Sequence, residues 1–273
     1  MSKSAKLIVV LLAGIWLLIT LYPFIFMLQT SMKTNMEYFT SSVWAFPENI
    51  SLDNYLTAMN SGFIRFYLNS LFVTISSLVI IIISASMAAY MIAKIDFKLS
   101  NSVFSFFLAG MMIPIHITLI PVYKMTQTMG LYDKLTGLIG PYVAFSLPIS
   151  IFILTGFIAE IPRELEEAAY IDGANIFQIF TKIIFPLIKP AVSTVAIYNL
   201  VLLWNEFIYA LVLISNPDKW NLTLGLWNFQ GQYGTNVPMV MTGVMLSVLP
   251  LLLFYIFLQE KVIKGMTAGA VKG

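Results

Sequence analysis

Glu206 ends the run Asn199-Leu-Val-Leu-Leu-Trp204-Asn205-Glu206 and is the one charged residue between Lys189 and Asp218. A carboxyl group in so apolar a setting must find water, a hydrogen-bond donor or a proton. It can line a route for a polar solute, hold a neighbouring helix in place, or carry protons. Asn199, Leu203, Glu206 and Ala210 fall on one face of a helix. Trp204 and Asn205 beside it can hold a polar solute by an aromatic face and amide hydrogen bonds, or serve in packing. His116, the single histidine, lies between Pro114 and Pro121 and can serve as a bonded packing residue or as part of the same lining.

Other chemistry is excluded by what the sequence lacks. One histidine and no cysteine cannot build a familiar zinc site or a disulfide. No nucleophile with a nearby base, metal cluster or acid pair marks a catalytic centre. No Gly-x-x-x-x-Gly-Lys-Ser/Thr phosphate loop occurs, so the chain is expected to bind no cofactor, and any ATP with its magnesium is handled by another chain. No catalytic or metal-ligating residue is expected, and no nucleic-acid partner.

A second group of polar residues stands in "EEAAYIDGANIFQIF", residues 166–180. Pro162 suits the first turn of a helix, and Glu164, Glu166 and Glu167 favour the positive end of its dipole. At 100° per residue Leu165, Ala168, Ala169 and Asp172 share one face, and Arg163, Glu166, Glu167 and Tyr170 share the other. Gly173 can adopt the left-handed conformation that ends a helix. A second helix follows, with Ile176, Ile179, Phe180 and Ile183 opposite Gln178, Thr181 and Lys182. Pro186 and Pro190 end this element and open the next span. Small alanines that let another surface close, flanking acids that can pair with a partner's basic residues, and a glycine that fixes the angle suit an element that transmits motion between proteins; the plainer reading is a cytoplasmic loop with an interfacial helix.

The elements that must position these groups are membrane helices. The chain of 273 residues is 59% hydrophobic and 10% charged, far from the balance of soluble domains. A charge near the bilayer centre costs roughly 3 kcal/mol or more, and about 20 apolar residues suffice to span. Charge-free stretches therefore predict six spans, at about 7–28, 66–93, 103–122, 138–157, 191–215 and 239–258, within one transmembrane domain over 1–273 and with the two-helix loop at 160–190. An even count puts both termini on one side. With the termini cytoplasmic, ten basic residues lie inside and five outside (Lys33, Arg65, Lys124, Lys134 and Lys219), which chooses that orientation. Ser70, Thr74, Ser77, Ser84 and Ala88 form a stripe of small residues on the second span, expected to face another helix. In the outer segment, Trp44, Phe46 and Tyr55 suit the membrane boundary or a docked protein.

"EEAAYIDGANIFQIFTKIIFPLIKP" resembles the EAA motif of permease subunits from binding-protein-dependent ATP-binding-cassette importers. "NYLTAMNSGFIRFYLNSLFVT", "IPIHITLIPVY", "WNEFIYAL" and the ending "GMTAGAVKG" are similar to stretches of the smaller permease of maltose- and oligosaccharide-type systems. His116 departs from the small or neutral residue that this likeness implies at its position. The resemblance implies an all-α type I ABC importer permease (MetI-like) fold with a cytoplasmic coupling helix, in a prokaryotic inner or plasma membrane. It makes Glu166, Glu167, Ala168, Ala169, Asp172, Gly173 and Pro186 the residues that couple to an ATPase. It also implies a second, homologous permease, two ATP-binding subunits and an extracytoplasmic sugar-binding protein, moving sugar by alternating access. The rival readings are a secondary transporter using Glu206 for protons and a membrane-embedded enzyme.

Overall fold

The computed structural model describes residues 2–270, with side chains up to Phe254 except where the chain begins, and at Ile256. The last three residues of the "GMTAGAVKG" ending lie outside the described residues. In chain order the helices are α1 (Lys3–Ser31), α2 (Asn35–Thr40), α3 (Asp53–Ala58), α4 (Ile64–Lys94), α5 (Ser100–Gly110), α6 (Leu119–Thr128) and α7 (Thr136–Ala159). They continue as α8 (Glu164–Ile171), α9 (Ile176–Ile179), α10 (Phe185–Leu187), α11 (Lys189–Trp204), α12 (Ile208–Leu213), α13 (Leu222–Tyr233) and α14 (Val237–Ala270). No strand occurs among the described residues.

The chain forms two compact units. The first takes residues up to Ile64 with Gly225–Pro250, and the second takes Arg65–Leu224 with the chain from Leu251. In the first unit α1 begins at the cap Ser2, whose hydroxyl accepts from Ala5 N. Its apolar side chains are exposed on every side from Leu7 to Leu21, the pattern of a helix made for lipid. Trp44 folds back on its far end, 5.5 Å from the Tyr22 ring and 5.8 Å from Phe26. Asn54 ties the same end down by donating to the carbonyls of Ser31 and Lys33, both at 2.9 Å. Ala58, Phe229 and Met239 make the small core of this unit.

The second unit has two apolar clusters. One joins Ala85, Ala89 and Tyr90 of α4 to Ile151, Leu154 and Ile158 of α7, and extends to α8, α9 and α11. The other gathers Val73 and Ile81 of α4, Leu138 and Tyr142 of α7, and Tyr209 and Leu213 of α12. The small stripe on α4 turns inward as expected at Ser70, Thr74 and Ser77. Further along, Ile81, Ala85 and Ala89 take over the buried line and Ser84 and Ala88 are half-buried, because the four-residue step is the one that keeps facing the two apolar clusters.

Among the described residues four helices are long and apolar enough to cross a membrane, and up to six crossings result if each sharply bent pair makes one. Two of the expected spans are not one continuous helix. Over 103–122, α5 stops at Gly110 and the chain resumes at Ile115 at 92° to it. Pro114 lacks an N–H and disfavours helix at Ile113, a cost of roughly 3 kcal/mol for continuing. Over 191–215, α11 stops at Trp204 and α12 begins at Ile208, with Glu206 in the gap.

Candidate functional site

The loop between α7 and α11 folds into an elbow. α8 carries Glu164, Glu166 and Glu167 in its first turn, where carboxylates favour the unpaired N–H groups. It ends as the sequence requires: Gly173 takes φ 81°, Gly173 N donates to Tyr170 O at 3.0 Å and Ala174 N to Ala169 O at 2.9 Å. That pair of bonds is a Schellman motif, and the Ala169–Ala174 contact is its usual apolar seal. The second arm starts with a capping box in which Asn175 and Gln178 bond each other's backbone N–H at 2.9 Å.

That arm departs from a plain helix. Residues Phe180–Ile184 make a π turn, and the chain re-forms α10 with Pro186, exposed, at its start. The wider turn lets Ile179 and Ile184, five residues apart, both be fully buried, while Ile176, on the same apolar face as Ile179 in the sequence, is exposed. At Ile188 the chain bends by 74° into α11.

The face assignment of α8 also needs correction. Glu166 and Ala169 point inward, at 7% and 8% exposure. Leu165, Glu167, Ala168 and Asp172 point outward, and Ile171 is 87% exposed. A helical wheel orders residues but does not say which sector faces the protein. Here that is fixed by α4: Tyr90 Oη donates to Glu166 Oε2 at 2.9 Å, and Lys94 Nζ stands 3.7 Å from Oε1. Lys94 also donates to Ile161 O. Arg163 pairs with Asp96 at 3.3 Å on the surface, and that carboxylate raises the Arg163 pKa further.

The polar candidates inside the membrane are not brought together. Asn199 is fully buried and donates to Ser150 Oγ and Val195 O, both at 2.9 Å. Trp204 is buried edge-on to Tyr67 at 5.7 Å. Asn205 is exposed and donates to Val201 O at 2.8 Å. His116 is exposed, in a 3₁₀ turn over Ile115–Thr118.

Glu206 breaks the helix it was expected to continue. Its Oε1 accepts from Tyr209 N at 2.8 Å and its Oε2 from Ala210 N at 3.4 Å, while Tyr142 Oη donates to Oε2 at 2.6 Å. Its own carbonyl accepts from Asn221 Nδ2 at 3.0 Å and Thr223 Oγ1 at 2.6 Å. The side chain thus caps α12, and side chains at the head of α13 hold the freed carbonyl. A cavity of about 170 Å³ opens beside Tyr142, Phe145, Ser146, Glu206 and Tyr209. Of the five polar candidates, only Glu206 lines it.

Tyr90, Lys94 and Tyr142 were not foreseen as site residues. Lys94 was visible as a charge ending a span, but its partner lies 72 positions on, from Lys94 to Glu166, and no local pattern encodes that pairing.

Residues 80–267 match the family described as the binding-protein-dependent transport system inner membrane component. The chain is 48% identical, over 99% of its length and 98% of the relative's, to the putative ABC transporter permease protein ORF2 of Caldicellulosiruptor sp. (strain Rt8B.4). It is 34% identical, over 100% of its length and 98% of the relative's, to the melibiose/raffinose/stachyose import permease protein MelC of Bacillus subtilis (strain 168). Its fold matches, at TM-score 0.78 and 25% identity, a chain of a bacterial ABC transporter involved in the import of the acidic polysaccharide alginate, covering 95% of this chain and 98% of that one.

Proposed function

Because the chain belongs to the family of binding-protein-dependent transport system inner membrane components, we propose that it is the membrane subunit of an ATP-driven oligosaccharide importer, in which a separate ATPase acts on α8. The observation that carries this reading is the outward surface of the elbow. A short helix, ended by a Schellman glycine, exposes Leu165, Glu167, Ala168, Ile171 and Asp172 together. Apolar area for contact lies beside carboxylates for a partner's Arg or Lys, on a rigid mount.

The chain itself catalyses nothing; its relatives are transport permeases. On this reading ATP and magnesium belong to two ATPase copies, a homologous second permease completes the pathway, and an extracytoplasmic binding protein delivers the sugar. The termini and the elbow are cytoplasmic. Nucleotide-driven closure of the ATPases displaces α8, and the attached helices alternate between inward-open and outward-open arrangements. The sugar class follows the transport names of the relatives. Glu206, with the exposed His116 and Asn205, borders the route, while Asn199 and Trp204 support it from within the packing. Three donors on the Glu206 carboxylate favour a supporting role over proton transfer.

The test is reconstitution of the chain with the ATPase, the second permease and the binding protein, followed by uptake of labelled raffinose and related oligosaccharides. Uptake is expected to require ATP and the binding protein and to survive a protonophore. Uptake by the chain without an ATPase, or collapse with the proton gradient, overturns the reading.

A further inference from the structure

Among the spans, α4 differs from the others in having nothing to bend it. α1 contains Pro23, α7 contains Pro141 and Pro148, and α14 contains Pro250. The remaining crossings are broken pairs. From Ile64 to Lys94 there is no proline and no glycine, the usual causes of a kink.

Both ends of this uninterrupted helix are pinned to other elements. At the elbow end Tyr90 donates to Glu166, its ring lies 5.5 Å from Phe180, and Lys94 lies between Glu166 and the Ile161 carbonyl. Tyr90 and Lys94 therefore hold both arms of the elbow and the chain leaving α7. At the opposite end Asn69 donates to the carbonyls of Asp218 and Trp220 at 3.0 and 2.9 Å, and Ser70 Oγ accepts from Leu222 N at 2.7 Å. Arg65 pairs with Asp218. The 21 steps from Asn69 to Tyr90 rise about 32 Å, the thickness of a hydrocarbon core.

A buried ion pair is an expensive way to gain stability, since apolar residues of similar volume do as well. It does fix one arrangement. Lys94, with its side chain 3% exposed, and Glu166 therefore act as a register device between α8 and a helix that is not its neighbour in sequence.

We propose that α4 is a rigid strut that carries displacement of the elbow across the membrane to the loop Asp218–Leu222, with Tyr90, Lys94 and Glu166 as the positioning residues that engage it. This rests on the reading of α8 as the helix moved by the ATPase. The loop at the far end would then change with nucleotide state without any contact to the ATPase, and a docked binding protein would meet that change.

The chain has no cysteine, so Pro217→Cys, in the exposed turn that leads into that loop, gives one site for an environment-sensitive thiol label in the reconstituted full complex. Adding ATP should shift the label's emission in the otherwise unchanged complex. Tyr90→Phe and Glu166→Gln should each reduce that shift at least about fivefold and lower sugar moved per ATP hydrolysed by a similar factor, with ATP hydrolysis kept within about twofold. If Glu166→Gln fails to assemble, the milder Tyr90→Phe carries the test. An undiminished shift and transport ratio in Tyr90→Phe would overturn the strut. A parent complex that takes up sugar without ATP would instead overturn the coupling reading, and the strut with it.

Discussion

At Glu206 a single side chain replaces two backbone hydrogen bonds. In a continuous helix Tyr209 N and Ala210 N would find the carbonyls four residues back. Here the Glu206 carboxylate takes both, and its carbonyl goes to Asn221 and Thr223. Glu206→Gln keeps one acceptor and should cost about 1–2 kcal/mol; Glu206→Ala leaves Tyr142 Oη and two N–H groups without it and should cost roughly 3 kcal/mol. Thermal unfolding in detergent reads the order. Asp133 works the same way outside the membrane, at φ 55°, a conformation that Asp tolerates better than most residues. The N–H groups of Asn216 and Ser215 and the Lys219 ammonium hold its carboxyl below its ordinary value of 3.8. A depressed carboxylate contributes its full stability above the unfolded pKa and loses it as pH falls through the folded one. Asp133→Asn should therefore lower stability by about 1 kcal/mol at pH 7, and the gap from the parent should close below about pH 4.

At the scale of elements the elbow was largely legible, because its signals are local. Pro162, the acidic first turn, Gly173 and Pro186 each act within a few residues, and the positive φ at Gly173 follows from them. No atom lies within 4 Å of a Cβ added at Gly173, so only the backbone conformation resists substitution there. Gly173→Ala should cost about 1 kcal/mol and Gly173→Val more. Both should leave the protein in the membrane while lowering uptake per ATP, Val the further; equal uptake by Gly173→Val and the parent would show that the bend is not needed. What stayed hidden depends on partners far along the chain. The inward turn of Glu166 is set by Tyr90 and Lys94, the break at Glu206 by Tyr142, Asn221 and Thr223. The break before Ile115 was marked by Pro114, but its angle of 92° was not, since hydropathy counts residues and is blind to angles. The π turn at Phe180–Ile184 has no comparable signature: it exists so that Ile179 and Ile184 can share one buried face.

For the whole molecule the side of the membrane on which the elbow lies decides whether an ATPase can reach it. Basic residues divide ten to five in favour of an internal elbow, and that asymmetry acts during insertion. With no native cysteine in the way, two single substitutions at exposed apolar positions read the outcome directly. Ile171→Cys, at a position 87% exposed on α8, should react with a membrane-impermeant maleimide only in inverted vesicles. Phe46→Cys, at a position 71% exposed after α2, should react only from outside intact cells. Adding purified ATPase to the inverted vesicles should then slow labelling at Ile171→Cys at least about tenfold, because a docked surface excludes the reagent from the helix it covers. Labelling of Ile171→Cys from outside would put α8 beyond reach of any nucleotide-driven partner, however well its shape suits one.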